Sequence, residues 1–251
     1  MEIRCVYRQH DDNSYPNKVF AGGIQGIEVA YREPYLKPRE FEQFHERVGA
    51  VLEEHKCSIS VHAPQIDVNL GSTNWRMRKL STDTLLHSAE WAVDFGADIL
   101  VVHPGMGVAG MTQGAWHRSF ESDSRFREST LELSAQSIER CAREFPTLRL
   151  AVENLIFPHE FIRTPDDMEQ FLNLVDAPNV GVCLDIGHAV VAGQCWSEFI
   201  EMFSSRLFHV HAHDNHGGVD EHLALGQGTI DYKFFFKKLQ EVDYDGAITL
   251  E

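Results

Sequence analysis

Short runs rich in Val, Ile and Leu punctuate the chain near 2–7, 24–31, 58–62, 98–103, 148–153, 179–185, 207–211 and 246–251. Their apolar positions are successive rather than alternating, and Gly, Pro, Asn or Asp bound them, as in parallel strands covered on both faces. Between most of these runs the period lengthens to three and four. Pro38 opens a segment, 38–56, in which Phe41, Phe44, Val48 and Leu52 share one helical face. A second segment, 73–95, starts at Thr73 and carries Leu80, Thr84, His87, Trp91 and Phe95 down a similar face. Segment 129–145 does the same with Leu131, Ala135, Ile138, Ala142 and Phe145. Thr164-Pro165-Asp166-Asp167 combines an N-cap hydroxyl, a proline at the first helical position and acidic residues at the positive helix end, and predicts a helix through Leu174.

Strand and helix thus alternate along the chain, which predicts an α/β fold of the (β/α)8 barrel type in a single domain spanning 1–251; a doubly wound open sheet is the weaker alternative. The pattern ends at Glu251 with the eighth strand, so the final covering helix is missing and the native protein is expected to be longer. Longer connections after the second, third and fourth strands, at 31–37, 63–72 and 104–128, are expected to shape a substrate mouth.

Composition narrows the function classes. With 251 residues, 43% of them hydrophobic, the chain can bury a large core. No stretch approaches the roughly 18–20 apolar residues of a membrane helix, and MEIRCVYRQHDDN has no signal-peptide core, so a soluble cytoplasmic protein without a membrane partner is expected. Five cysteines, with no Cys-x-x-Cys pair, indicate neither a disulfide framework nor a thiolate zinc site. The net charge of −16 counts against general nucleic-acid binding, although not against a local basic groove. Fourteen histidines are the compositional oddity, because neutral imidazole is a common ligand of zinc, manganese and related ions.

Nine metal-type side chains close or follow the strand-like runs: His62, His103, Glu153, Asp185, His188, His211, Asp220, His222 and Glu251. A lone strand-end histidine is more often a hydrogen-bonded rim residue than a ligand. Barrel enzymes, however, build their sites from C-terminal strand ends, and strands three to eight all deliver a ligand-type group there. Without thiolates, this mixture of carboxylate and imidazole suits Zn, Mn, Co or Mg. Glu153, Asp185, His211 and Glu251 can enclose one ion, and Glu153 can bridge to a second held by His62 and His103. His188, three residues after Asp185, can complete a third site with Asp220 and His222, for one to three ions per chain.

The segments VHAPQIDVNLGS, LVVHPG, AVEN, CLDIGHAVVAG, HAHDNHGGVDEHLALGQGTID and ITLE, in this order from about Ser58 to Glu251, resemble the xylose isomerase-like barrel superfamily. That superfamily contains endonuclease IV (AP endonuclease family 2) and many sugar or sugar-phosphate isomerases and epimerases. For endonuclease IV-like members the resemblance implies three zinc ions on the residues matching the nine above. For the isomerases and epimerases it implies one Mn, Co or Mg on Glu153, Asp185, His211 and Glu251, with Glu153 and Glu251 as catalytic groups that move a proton.

Two chemistries follow. A sugar isomerase or epimerase chelates its substrate on the ion, and one glutamate removes the acidified C–H proton while another carboxylate returns one, through an enediolate-like intermediate. A trinuclear zinc phosphodiesterase instead directs an activated hydroxide at abasic DNA. Gln65 replaces the DNA-contacting Tyr of the endonuclease pattern, and ENLIFPHEFIRTPDD replaces its Glu-Asn-Thr-Ala-Gly-type segment. Both departures favour sugar chemistry, with a small sugar or sugar phosphate as partner and nucleic acid only under the alternative. The run Asp220-Glu221-His222 pulls the other way.

Other signals are weaker. Gly105-x-Gly107-x-x-Gly110 matches a dinucleotide fingerprint, but His103-Pro104 precedes it and no second βαβ half follows, so a loop beside the mouth is expected. KFFFKK at 233–238 reads as core packing through Phe235, Leu239 and Val242, and Arg76, Arg78 and Lys79 as a solvated face. His209, His213 and His216 surround His211 and are expected to turn away from its face, with no assigned role.

Overall fold

The computed structural model describes residues 1–12, 14–106 and 124–251, with side chains from Arg127 onward in the last stretch. Eight parallel strands, β1 (Glu2–Tyr7), β2 (Gly26–Ala30), β3 (Ser58–His62), β4 (Ile99–Val102), β5 (Arg149–Glu153), β6 (Val180–Asp185), β7 (Leu207–Ala212) and β8 (Ala247–Leu250), close into a barrel in sequence order. Closure is made by β1 against β8, with Arg4 opposite Thr249 and Cys5 opposite Leu250. Every residue of β4 and β6 is buried, because helices cover one face and the barrel interior the other. The sequence pattern therefore has its expected cause: an open sheet is excluded, and the fold is a TIM barrel.

The outer layer contains α1 (Tyr15–Ala21), α2 (Pro38–His55), α3 (Trp75–Asp94), α4 (Ser124–Glu144), α5 (Pro165–Leu174), α6 (Ile186–Val191), α7 (Trp196–Phe203) and α8 (Tyr232–Glu241). Thr164 caps α5 as its sequence predicts: its hydroxyl accepts from the Asp167 N–H, and Asp167 accepts from the Thr164 N–H, both at 3.0 Å. Phe235 and Leu239 of α8 are fully buried, so this face of the helix packs on the core, while Phe234 is exposed.

Helix α3 departs from its predicted face. Its N-cap is Asn74 rather than Thr73, and Leu80 is 61% exposed. Of the expected row only Trp91 is buried; the inward face is Ser81, Thr82, Leu85, Ser88, Ala89, Trp91 and Ala92. Close approach to α4 requires small side chains, and the hydroxyls are satisfied locally. Thr82 donates to the Arg78 carbonyl at 2.8 Å, and Ser88 to that of Leu85 at 2.7 Å. A search for large apolar residues misses such a face.

The N-terminal end of the barrel is tied by charge. Arg4 is almost wholly buried, donating to Asp98 at 2.9 Å and Glu2 at 3.1 Å, while Arg149 lies 3.1 Å from Asp98. Burial alone would raise the Asp98 carboxyl, but Arg4 and then Arg149 outweigh it and hold the group below its ordinary value. Its stabilisation is therefore present above the unfolded-state value of about 3.9 and is lost as pH falls through the lower folded-state value. Asp98→Asn is expected to cost about 1–2 kcal/mol near neutrality, less than for a fully buried pair because Asp98 is half exposed. In urea unfolding of the metal-free protein, the gap between wild type and variant should close below about pH 4; a gap independent of pH contradicts this assignment.

Candidate metal centre

Strand parity and parallel packing carry the ligand-type side chains to one mouth. Glu153 ends β5 and meets histidines on both oxygens. His62 Nε2 is 3.2 Å and His103 Nε2 2.9 Å from Oε2, and His211 Nδ1 is 3.2 Å from Oε1. His211 Nδ1 also lies 3.8 Å from Asp185 Oδ2 and 3.4 Å from Glu251 Oε1. On the other side of Asp185, His188 Nε2 lies 3.6 Å from Asp220 Oδ2, and His222 Nε2 3.0 Å from the same atom. All nine residues singled out in the sequence thus converge. Among them, His62/His103/Glu153 and Glu153/Asp185/His211 are each compact enough to share an ion, as are Asp220 and His222 together with His213.

Two buried atoms fit a cation better than a hydrogen-bond network. Asp185 Oδ2 and His103 Nε2 have no hydrogen-bond partner among the described residues, although His103 Nε2 approaches a carboxylate oxygen. Oxygen and imidazole nitrogen at these spacings suit zinc and its neighbours. Asp185 Oδ1 is fixed separately, accepting from the His188 backbone N–H at 2.7 Å as the cap of α6, while Asn154 accepts from the Asp185 N–H at 2.8 Å.

Without an ion, the charges balance through protonated imidazole. Burial disfavours the charged form of His211, yet the carboxylates of Glu251, Glu28 and Glu153 raise it well above the ordinary histidine value. His188 is likewise raised, by Asp185, Asp220 and Glu153 against its burial. Burial raises Glu153 less than His211 and His103 lower it, so it lies well below the carboxylate range. Glu251 is raised, by burial and by the charges of Asp185, Glu153 and Glu28.

Above these groups lies a cavity of about 430 Å³, within the range of small-molecule sites. Glu153, Glu251, His62, His103, His188, Asp220 and His222 line its polar side, and Tyr31, Tyr35, Ile66, Ile156 and Phe157 its apolar wall. The loops at 31–37 and 63–72 contribute to this wall, with Gln65 and Arg32 among their lining residues, and Arg8 adds a second cation. Of the loop at 104–128, Met106 lines the cavity. Gly107 and Gly110 of the glycine motif lie outside the described residues.

Three buried groups escaped sequence reasoning. Glu28 sits in the middle of β2, where its Oε2 accepts from Ser60 Oγ and His209 Nε2, each at 2.8 Å, and its Oε1 lies 2.8 Å from His211 Nε2. His209 and His213 do not turn away from the His211 face: residues 209, 211 and 213 are two apart, so all three point inward and are fully buried. His216 does leave the cluster, pairing with Glu221 at 2.8 Å in an exposed loop. The signal for Glu28 was a carboxylate inside the apolar run GIEVA, and that for His213 was its even offset from His211. Glu28 lies against the His211 nitrogen opposite to the one aimed at the mouth, where a carboxylate bears on the ring's orientation. Glu28→Gln should retain the fold and weaken divalent-metal binding about 10- to 100-fold, as measured by chelator competition; unchanged affinity would exclude this positioning role.

Comparison with known proteins agrees with the architecture. The family profile of the xylose isomerase-like TIM barrel matches residues 18–251. The uncharacterized protein MJ1311 of Methanocaldococcus jannaschii is 33% identical over 223 residues, 86% of this chain and 70% of that protein. A probable endonuclease 4 of Mycobacterium bovis is 27% identical over 191 residues, covering 73% of this chain and 69% of its own. Among solved structures, a D-tagatose 3-epimerase-like protein superposes with a TM-score of 0.82 at 27% identity, covering 100% of this chain and 90% of that one. This chain belongs to the xylose isomerase-like TIM barrel family.

Proposed function

We propose that the protein is a divalent-metal-dependent sugar or sugar-phosphate isomerase or epimerase, a cytoplasmic enzyme built as one barrel domain. The observation that carries this reading is the placement of Glu153 and Glu251. They approach His211 Nδ1 from β5 and β8 at the base of a cavity sized for a small molecule. Glu153, Asp185, His211 and Glu251 would hold the principal ion, of Mn, Co, Mg or Zn. When bound, such an ion supplies Lewis-acid polarisation of a sugar carbonyl and its neighbouring hydroxyl.

The protein's own groups then handle the proton. Glu153 or Glu251 accepts the proton of the C–H bond beside the carbonyl, and the other carboxylate returns one to the opposite face or to the adjacent carbon. The negative charge released at carbon is delocalised onto the carbonyl oxygen as an enediolate-like intermediate. The aromatic wall of Tyr31, Tyr35 and Phe157 gives the sugar ring a face to pack on and limits water. Likeness to a D-tagatose 3-epimerase-like protein supports this reading.

A second reading, an endonuclease IV-like trinuclear zinc phosphodiesterase acting at abasic DNA, is favoured by one observation: His188, Asp220 and His222 gather beside the core set. Relatives named probable endonuclease 4 lend it support.

Incubation with a panel of ketoses and their phosphates in D2O, in the presence of Mn or Co, is expected to introduce deuterium at a carbon next to the carbonyl. Glu153→Gln and Glu251→Gln should each lower that exchange about 10²- to 10⁴-fold; full exchange in both variants would remove the proton-transfer assignment. Incubation with a duplex carrying one abasic site should leave the strand intact. Robust incision, together with three tightly held zinc ions by elemental analysis, would transfer the protein to the phosphodiesterase reading.

A further inference from the structure

Acids and imidazoles are not the whole of the cavity's polar lining: Arg8 and Arg32 are the Lys- or Arg-type cations among its described lining residues. They arise from neighbouring strands. Val6 and Arg8, two residues apart, line the cavity, while Tyr7 between them packs on Phe44 of α2. Glu28, Ala30 and Arg32 form the matching row from β2. Because Tyr7 pairs with Val29, Arg8 rises beside Ala30, and Arg32 stands two residues beyond it. In the closed barrel, β1 and β2 lie across from β5 and β6, which carry Glu153 and Asp185. The mouth is therefore polarised, with Glu153 and Asp185 on one side and guanidinium on the other.

Neither guanidinium has a hydrogen-bond or ion-pair partner among the described residues. That is unexpected in a chain with 38 acidic against 22 basic residues. Elsewhere the arginines of this protein find carboxylates: Arg4 and Arg149 meet Asp98, and Arg127 meets Asp167. The acids of the cavity are engaged by other groups. Glu28 takes His209 and His211, and Glu153 takes His62, His103 and His211. Glu160 Oε2 accepts from the Ile156 and Phe157 N–H groups at 2.9 and 2.6 Å. Arg8 and Arg32 thus offer the cavity two uncommitted donor forks, the group that holds phosphate through paired, charge-assisted hydrogen bonds.

We propose that Arg8 and Arg32 form an anion subsite for the phosphate of a phosphorylated ketose, so that the substrate class of this mouth is the sugar phosphate and not the free sugar. Two positive charges match a phosphate monoester, which carries about −1.5 to −2 near neutrality. A sugar-acid carboxylate would leave one of them unmatched. The carbonyl end of the substrate lies at the core set, and the phosphate reaches across the barrel to β1 and β2. Binding at that non-reacting end holds the carbon chain in place for proton transfer. The inference rests on the sugar-chemistry reading for the reacting end, and on the two arginines alone for the anion.

Binding and turnover test this separately. A hexitol phosphate has no carbonyl, so its affinity for the metal-loaded protein, measured by calorimetry against the unphosphorylated hexitol, is independent of any reaction. The phosphate is expected to tighten binding at least about 10-fold, and Arg8→Gln and Arg32→Gln should each remove most of that gain. Arg8 is exposed and Arg32 half-buried, so the fold should survive both changes. In the deuterium-exchange assay, kcat/KM for a ketose phosphate should exceed that for the same free ketose about 100-fold, and each variant should lower this ratio about 10-fold, chiefly through KM. Equal binding of the two hexitols, or a gain that both variants keep, would overturn the proposal even if the free ketose exchanges well. An arginine-dependent gain larger for the corresponding hexonate than for the hexitol phosphate would overturn the choice of phosphate. Arginine-dependent binding of the hexitol phosphate without exchange on any ketose would uphold the subsite and count instead against the proton-transfer reading.

Discussion

Repulsion among buried carboxylates is the constraint from which the rest of this mouth follows. Glu28, Glu153, Asp185 and Glu251 surround one imidazole, that of His211, whose two nitrogens lie 2.8–3.8 Å from their oxygens. In a low-dielectric interior such a concentration of like charge is stable only with compensating positive charge. In the metal-free protein the compensation is protonated histidine, and the demand spreads outward to His62, His188 and His213, each raised above its ordinary value by neighbouring carboxylates despite burial. A divalent ion held at this mouth would meet the same demand with fixed charge.

The barrel makes this concentration possible without unfolding itself. Side chains of β2, β3, β7 and β8 meet across the interior, where Glu28 links Ser60, His209 and Thr249 into a polar layer beneath the mouth. Ile99, Val101, Ala151 and Cys183 form a small apolar cluster separate from the larger one under the helices. The charged layer is consequently carried on well-packed strands, and only its upper side meets the cavity. Rigid strands set the ligand atoms, while the connecting loops set the size and polarity of the space above them.

How much of this could be read from the chain depended on how local the signal was. A strand-like run ending in His, Asp or Glu is visible in a few residues, which is why His62, His103, Glu153, Asp185, His211 and Glu251 were found. Glu28 ends no strand, and its meaning comes from His209 and His211, more than 180 residues away. His213 lies two residues from His211 and so shares its face, a relation that adjacency in the run FHVHAHD obscures. On α3 the misreading had a packing cause, since Ser81, Ser88 and Ala89 face inward where large residues were expected.

The sequence by itself determined the alternation of eight buried strands with covering helices, because burial on both faces dictates continuous apolar runs and helix packing dictates a period near 3.6. It also determined the chemical kind of the mouth, since parallel strands in a barrel aim their C-terminal residues together. Only the tertiary structure decided which nitrogen of His211 faces Glu28 and which faces the mouth. It alone also joined His213 to Asp220 and His222 and drove Glu153 and Glu251 to opposite proton affinities. These outcomes depend on strand stagger, burial and charge summed over distant segments, quantities that exist only once the barrel has closed.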